Sequence, residues 1–219
     1  MTTYTQADLQ YRSALEAIGR ELPSAYTTAQ PVERIDLQGN DITQAVLFRM
    51  KSFLNIQHTI KTQLLKEYAA PAANFFVETV LLYLRVAIKR LAPMRTVAAA
   101  KNIIRKRGSI RPDISIWQGN QVFAAIWCKT QLGWKRNDWL TEFEQRESRL
   151  RAEFPDAKLF LLVMTGRNWP GFGDDQRVGR QFFLLRHDIW PHEFAVESAA
   201  RLIAHRIESL IATLVENAK

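Results

Sequence analysis

The run Lys158–Thr165 (KLFLLVMT) constrains the fold more than any other segment of this chain. Consecutive apolar residues over this length are typical of a strand that is buried on both faces of its sheet, and such strands need helices on both faces. Gln181–Arg186 (QFFLLR) has the same character. The two runs therefore predict buried strands in a sheet that is covered by helices.

Helical spacing of apolar residues predicts helices before, between and after these strands. The segment Pro71–Leu91 is apolar on nearly every side, which is typical of a helix sandwiched in a core. Ala98–Ile104 is compatible both with a helix end and with a first strand. The remaining predicted helices span about Gln6–Arg20, Asp41–Leu65, Asn137–Phe154 and Phe194–Asn217.

Two short β-branched and aromatic runs, Ser109–Trp117 and Gln121–Thr130, flank the turn Gln118-Gly119-Asn120 and predict a hairpin. Strands interleaved with helices around a hairpin indicate an α/β fold with a mixed central β-sheet flanked by helices. We predict a single domain over residues 1–219. It consists of a helical N-terminal extension (1–70), a core (71–190) and a C-terminal amphipathic helix (191–219).

The composition excludes several classes of protein. With 47% hydrophobic and 24% charged residues, the chain resembles a globular protein rather than a disordered one. Cys128 is the only cysteine, so an intramolecular disulfide is impossible. No apolar run approaches the ~20 residues of a membrane span, and the N-terminus does not read as a secretory signal. We therefore expect a cytoplasmic protein that does not enter a membrane.

The charge balance favours a polyanionic partner. Thirty Lys and Arg residues against 22 Asp and Glu residues give a formal net charge of +8, although an excess of this size also serves solubility alone. Basic and amide side chains in three loop regions suit contacts to the phosphates of double-stranded DNA, and each region is equally compatible with a solvated loop. These candidates are Lys101, Arg105, Lys106, Arg107, Arg111, Lys135, Arg136, Arg167 and Asn168.

The predicted hairpin brings three side chains to one face. With a three-residue loop at its turn, Asp113 lies opposite Ala125. Side chains alternate along each strand, so Asp113, Trp127 and Lys129 then share one face of the ribbon. The diagonal from Asp113 to residue 127 is about 7–8 Å between Cα atoms. We therefore expect Asp113 and Lys129 to reach one site, where a metal ion can be held.

These residues resemble the signature of the PD-(D/E)xK nuclease superfamily, which has the restriction-endonuclease-like fold. Pro112-Asp113 matches the PD element, Lys129 stands at the family lysine, and Gln131 matches the ExKxQ variant. Glu78 matches the helical glutamate that many members place beside the metal. The resemblance covers roughly residues 71–186, including the helix and the apolar strand that follow the hairpin.

The resemblance implies a DNA endonuclease of restriction or defence type that depends on Mg²⁺ or Mn²⁺. Carboxylates are hard oxygen ligands for Mg²⁺, and the metal polarises the scissile phosphate and helps to deprotonate water. Asp113 and Glu78 are then metal ligands. Lys129 stabilises the attacking hydroxide or the charge that develops on the phosphate.

The sequence departs from the family at Trp127, which stands where the second metal-binding acid is expected. An indole cannot bind Mg²⁺. Three explanations stay open. The acid has migrated to the next helix, where Glu142 is best placed by spacing and Glu144 and Glu147 are alternatives. Otherwise the site has decayed to a DNA-binding or structural relic, or the tryptophan is a deliberate inactivating change.

Three functions follow from these alternatives. The first is an active restriction-like endonuclease that uses Glu78, Asp113 and Lys129, with Glu142 as a catalytic and metal-binding acid and with Gln131 nearby. The second is a catalytically inactive nuclease-like protein that binds nucleic acid or acts as a subunit. The third is a protein-interaction domain unrelated to nucleic acid.

The C-terminal helix offers a route to a homodimer. Ile203, Ile207, Leu210 and Leu214 follow a 4-3-4 spacing, which suits a helix that caps the sheet and equally one that pairs two subunits. Cutting both strands of a duplex favours a two-fold protein, so we expect dimerisation through this face.

His187-Asp188 and His192-Glu193 form a second candidate group for metal binding or acid–base chemistry. Trp190-Pro191 lies between the two pairs and predicts a turn rather than a helix face. The two imidazoles therefore need not converge on one ion.

Overall fold

The computed structural model describes residues 3–30, 35–70, 72–104, 109–132, 139–167 and 175–216. They divide into two compact units, Met1–Ile35 and Asp36–Lys219. The first unit contains helices α1 (Tyr4–Ala7) and α2 (Leu9–Ala29), neither of which has a buried residue among those described. The helix predicted at about Gln6–Arg20 is therefore present and extends further towards its C-terminus.

The described ranges of the second unit contain four α-helices. They are α3 (Asp41–Gln63), α4 (Ala73–Leu91), α5 (Trp139–Glu153) and α6 (Ile207–Val215). The predicted bounds of the first three agree with the structure to within a few residues. Because α3 packs against α4 and α6, it belongs to this unit rather than to a separate extension that reaches residue 70. Within the described ranges, no helix is both long and apolar enough to cross a membrane.

The sheet is mixed, as predicted. Its strands lie side by side in chain order, with β1–β2–β3 antiparallel and β3–β4–β5 parallel. After the hairpin the chain forms a helix and then a buried parallel strand, the order that the sequence analysis predicted. The strands are β1 (Arg95–Ala99), β2 (Ile114–Gln118), β3 (Gln121–Gln131), β4 (Lys158–Thr165) and β5 (Phe182–Arg186).

Helices cover both faces of the sheet. One face forms a hydrophobic cluster with α5, in which Phe143 and Leu150 pack with Trp127 and Leu161. No α4 side chain belongs to this cluster among the described residues, yet α4 packs against β1 and β3. Helix α4 therefore covers the opposite face, and the α5 face is the side to which Ala125 and Trp127 of β3 point.

The hairpin register differs from the predicted register by two residues. Gln118 pairs with Gln121 across a two-residue turn in which Gly119 has a φ of +59°, and a bulge between Ile116 and Trp117 shifts the pairing again. Asp113 therefore lies next to residue 127. The predicted register had placed it opposite Ala125. A shift of two residues preserves the alternation of side chains, so the predicted shared face survives the error.

The predicted helix Phe194–Asn217 is wrong over its first half. Residues 191–202 form three short 3-10 turns, and α6 begins only at Ile207. The backbone N–H groups of Ala204 and His205 donate to the carbonyls of Leu185 and Leu184, so the chain follows the edge of β5 instead of closing helical hydrogen bonds. These hydrogen bonds to β5 satisfy the two N–H groups, and the helix begins only after them.

The predicted dimer face is occupied within the chain. Ile207, Leu210 and Leu214 are fully buried, and α6 packs against α3, α4 and β5. Dimerisation through these side chains is therefore ruled out, because the same atoms form the core of one chain. A homodimer through another surface stays a prediction.

Candidate functional site

Asp113 lies just before β2, on the α5 face of the sheet. It is half-buried, and its Oδ2 accepts a hydrogen bond of 2.8 Å from the backbone N–H of Cys128. Burial raises the pKa of this carboxyl above its ordinary value, while the Cys128 N–H, Lys129 and Arg146 act in the opposite direction. The hairpin thus holds a carboxylate beside two cations, with one oxygen anchored to the neighbouring strand.

Trp127 sits beside Asp113 and lies under two cations. The Lys129 Nζ is 4.3 Å from the centroid of the indole, and the Arg146 guanidinium carbon is 4.4 Å from it. Trp127 is only 5% exposed and belongs to the hydrophobic cluster with α5. Its ring therefore serves both as core and as a platform that holds Lys129 and Arg146 next to the Asp113 carboxylate.

A cleft of about 460 Å³ opens at this position, between the end of β3, helix α5 and the segment before β2. Four cations and one carboxylate line it, so it has an excess of positive charge that suits a phosphate backbone. The lining residues are Ser109, Ile110, Arg111, Lys129, Glu142, Gln145, Arg146 and Arg149.

Helix α5 supplies half of this lining, which the sequence reasoning missed. Glu142, Gln145, Arg146 and Arg149 recur at intervals of three and four residues and so project from one face of α5. Only Glu142 was a predicted site residue. The spacing was visible in the sequence, but nothing in it distinguishes a stripe that faces a cleft from one that faces solvent.

The structure separates the three carboxylates proposed as a migrated acid. Glu142 lines the cleft together with Lys129. Glu144 accepts a 3.3 Å bond from the Arg177 Nη1, and Glu147 accepts from Arg151 and Gln181 at 3.0 and 2.7 Å. Glu142 is therefore the one of the three that faces the cleft, while the other two are engaged elsewhere.

The remaining predicted catalytic residues, Gln131 and Glu78, are not among the described residues that line the cleft. Gln131 ends β3, two residues beyond Lys129. Glu78 is exposed on α4, the helix that covers the opposite face of the sheet. Lys129 and Glu142 line the cleft, and Asp113 lies beside Lys129 and Arg146 of that lining.

The predicted DNA-binding residues have different outcomes. Arg111 lines the cleft, and the Lys101 Nζ stacks 3.7 Å from the centroid of Trp117. Arg167 forms an ion pair with Glu193 instead of projecting freely. Six of the predicted residues lie outside the described ranges, namely Arg105, Lys106, Arg107, Lys135, Arg136 and Asn168.

His192 has a partner from another element that the sequence analysis did not name. Its Nε2 lies 3.1 Å from the Nε2 of His58 of α3. Burial and the neighbouring His58, Lys51 and Arg167 lower the pKa of His192 despite the nearby Glu193. In the part of the chain that the structure describes, no group of three or more His, Cys, Asp or Glu residues has the arrangement of a metal site.

Comparison with known proteins places the chain in no family. No family model matches it, and no curated protein matches it. A solved structure described as the native BbvCI A2B2 tetramer at low resolution aligns with 98% of this chain and 98% of its own, at 10% identity and a TM-score of 0.33. A likeness of this size does not establish an activity.

Proposed function

We propose that this protein hydrolyses phosphodiester bonds of double-stranded DNA in the cleft between β3 and α5, as an endonuclease of restriction or defence type. One observation carries the proposal. Glu142 and Lys129 line one strongly basic cleft, and the Asp113 carboxylate lies near enough to Lys129 and Arg146 of that lining for their charges to lower its pKa. Acids beside an excess of cations suit a substrate that brings its own negative charge.

The two carboxylates fit a magnesium or manganese ion that is shared with the substrate. Mg²⁺ in proteins is commonly held by one or two carboxylates, with phosphate oxygens and waters completing its shell. Asp113 and Glu142 would supply such oxygens. When bound, the ion polarises the phosphate and lowers the pKa of a bound water.

The chain's own cations bind and orient the DNA. Arg146 and Arg149 project from α5 into the cleft and Arg111 enters from the opposite wall, so phosphates on both sides of the reacting bond find a cation. The Lys129 ammonium stabilises the extra negative charge that develops on the phosphoryl oxygens. The Cys128 N–H fixes the Asp113 carboxylate in one orientation.

A second candidate function is DNA binding without cleavage. Trp127 favours it, because the indole occupies the position of an acid and two cations stack on it. In this alternative the cleft retains its affinity for phosphate, while the carboxylates serve only to position the cations.

Cleavage of supercoiled plasmid in Mg²⁺ and in Mn²⁺ separates the two candidates. We expect the wild-type chain to nick the plasmid and Glu142→Gln to reduce the rate by at least about 100-fold, because the variant removes one anionic oxygen ligand. Glu144→Gln is the matched control. It lies on the same helix and pairs with Arg177, so its rate should stay within about twofold of wild type.

A mobility shift at several salt concentrations gives the second readout. If all four cations of the cleft contact phosphates, the slope of log affinity against log salt is about −3 to −4. Binding with this slope but without cleavage in either metal selects the second candidate. A chain that neither binds nor cleaves DNA refutes both.

A further inference from the structure

Arg186, the last residue of β5, is the largest fully buried side chain among the described residues. Its relative exposure is 0%, and its backbone carbonyl accepts a hydrogen bond from Gly166. The Nε, Nη1 and Nη2 atoms are all buried and have no hydrogen-bond partner among the described residues. A guanidinium carries five N–H donors, so this position leaves an unusually large hydrogen-bonding capacity unused.

Arg186 nevertheless remains a cation. Burial lowers its pKa to about 10, which still leaves it protonated at neutral pH. Among the described residues, the charge of Arg186 is stabilised by the ring of Phe194, whose centroid is 4.3 Å from the guanidinium carbon. A stacked ring satisfies no N–H group, and an unpaired buried charge is strongly unfavourable.

A second cation increases the imbalance. The Lys51 Nζ lies 5.1 Å from the centroid of the same Phe194 ring and donates to the carbonyls of His192 and Phe194. The carboxylate of Glu193 is already engaged by Arg167. Two cations thus share one aromatic ring, and no described carboxylate balances them.

The position of Arg186 in the sheet separates it from the proposed reaction centre. Arg186 pairs in register with Thr165, which pairs with Gln131, so these residues form the last row at the carboxyl edge of the three parallel strands. Lys129 lies two residues earlier along its strand and two strands away, about 12 Å between Cα atoms from the strand spacing and rise. The carboxyl edge of parallel strands is the usual place for ligands in open α/β sheets.

We propose that Arg186 binds a small phosphate group at the carboxyl edge of β4 and β5, at a site distinct from the cleft and independent of its proposed function. A guanidinium fork matches two phosphate oxygens, and a dianion balances both Arg186 and Lys51, whereas a carboxylate balances only one. Because the arginine is fully buried, the ligand is a compact one. It is inorganic phosphate or the terminal phosphate of a nucleotide or a DNA end, rather than the backbone of a duplex.

Thermal unfolding of the full chain in sodium phosphate and in sodium chloride of equal ionic strength tests the site. We expect a saturable rise of Tm in phosphate alone, roughly 5–10 °C at a hundred times the dissociation constant. The absence of a phosphate-specific rise in the wild-type chain overturns the proposal.

Arg186→Met tests the residue. It removes the cation, keeps an apolar side chain of similar length, and should abolish the phosphate response while unfolding no earlier than wild type in chloride. The matched control is Arg180→Met, an exposed arginine just before the same strand, which should respond as wild type does. A response that survives in Arg186→Met, or that disappears in Arg180→Met, overturns the proposal.

If Arg186→Met fails to fold, Arg186→Lys keeps the question answerable. It retains the charge but loses the fork, so it should need about tenfold more phosphate for the same shift. An unchanged phosphate requirement overturns the proposal.

Two further arms identify the source of the phosphate and separate this site from the cleft. A 5′-mononucleotide that shifts Tm at lower concentration than inorganic phosphate identifies a nucleotide end, and the reverse order identifies free phosphate. Lys129→Met should lose plasmid cleavage but keep the full phosphate response. Failure of the nuclease proposal and failure of the Arg186 site therefore give different results.

Discussion

Replacing Trp127 with glutamate tests how the candidate site is built. The new carboxylate would lie beside Asp113 and within reach of Lys129 and Arg146, the two cations that stack on the indole at 4.3 and 4.4 Å. It would add an oxygen ligand to the proposed pair, Asp113 and Glu142. We expect Trp127→Glu to bind Mg²⁺ about tenfold or more tightly than the wild-type chain, because affinity rises with the charge of the ligand set.

The same substitution carries a cost in stability. Trp127 is almost fully buried against α5, and truncating a buried tryptophan typically costs about 3–5 kcal/mol. Charge-assisted hydrogen bonds from Lys129 and Arg146 to the new carboxylate return about 1.5–3 kcal/mol. The difference predicts a net loss of roughly 0–3.5 kcal/mol in the free energy of unfolding, measurable by urea denaturation.

DNA affinity should change in the opposite direction to metal affinity. Without Mg²⁺, the new carboxylate pairs with two of the cations that otherwise meet phosphates, so the salt slope of DNA binding should become shallower by about 1–2 units. Trp127→Gln is the matched control, since it has the same shape without the charge. If Trp127→Glu binds Mg²⁺ no better than Trp127→Gln in calorimetry, residue 127 does not face the Asp113 site and the reasoning is refuted.

Two further predictions concern stability and pH. Thr43→Val should lower the free energy of unfolding by about 2–4 kcal/mol, measured by urea denaturation. The Thr43 hydroxyl donates to the buried Glu208 carboxylate and accepts from the Ile207 N–H, and the variant loses both hydrogen bonds. A loss below about 1 kcal/mol contradicts this role. Burial raises the pKa of Asp113, so cleavage that needs its carboxylate should be lost, as pH falls, at a higher pH than an ordinary aspartate allows. Arg146→Met removes a cation that lowers this pKa and should move the acid limb of the pH–rate profile to still higher pH, whereas an unmoved limb means that Asp113 does not control the rate.

Elements that are buried along their whole length could be predicted from the sequence. The strand Lys158–Thr165 has the predicted bounds, because consecutive apolar residues are stable only in a strand with both faces covered. The shared face of Asp113 and Lys129 was also predictable. Strand side chains alternate with a period of two, so even a register error of two residues left both on the α5 side.

Contacts between segments distant in the chain were beyond the reach of local pattern. Periodicity shows that a residue lies on a stripe, but not what that stripe faces. Glu142, Glu144 and Glu147 are equivalent acids on one amphipathic helix, and only the packing of α5 on the sheet turns Glu142 to the cleft and the others to Arg177 and Arg151.

The same limit explains the C-terminal error and the buried arginine. The apolar residues of Ile203–Leu214 have helical spacing throughout. The backbone N–H groups of Ala204 and His205 nevertheless bond to the edge of β5, and these hydrogen bonds replace those of a further helical turn. Arg186 ends an apolar strand, and nothing in its local sequence indicates that its side chain is buried. Phe194 and its neighbours pack over the side chain and remove it from water. Burial of that kind is a property of three-dimensional packing, since the groups that remove a side chain from water come from segments whose positions no local pattern specifies.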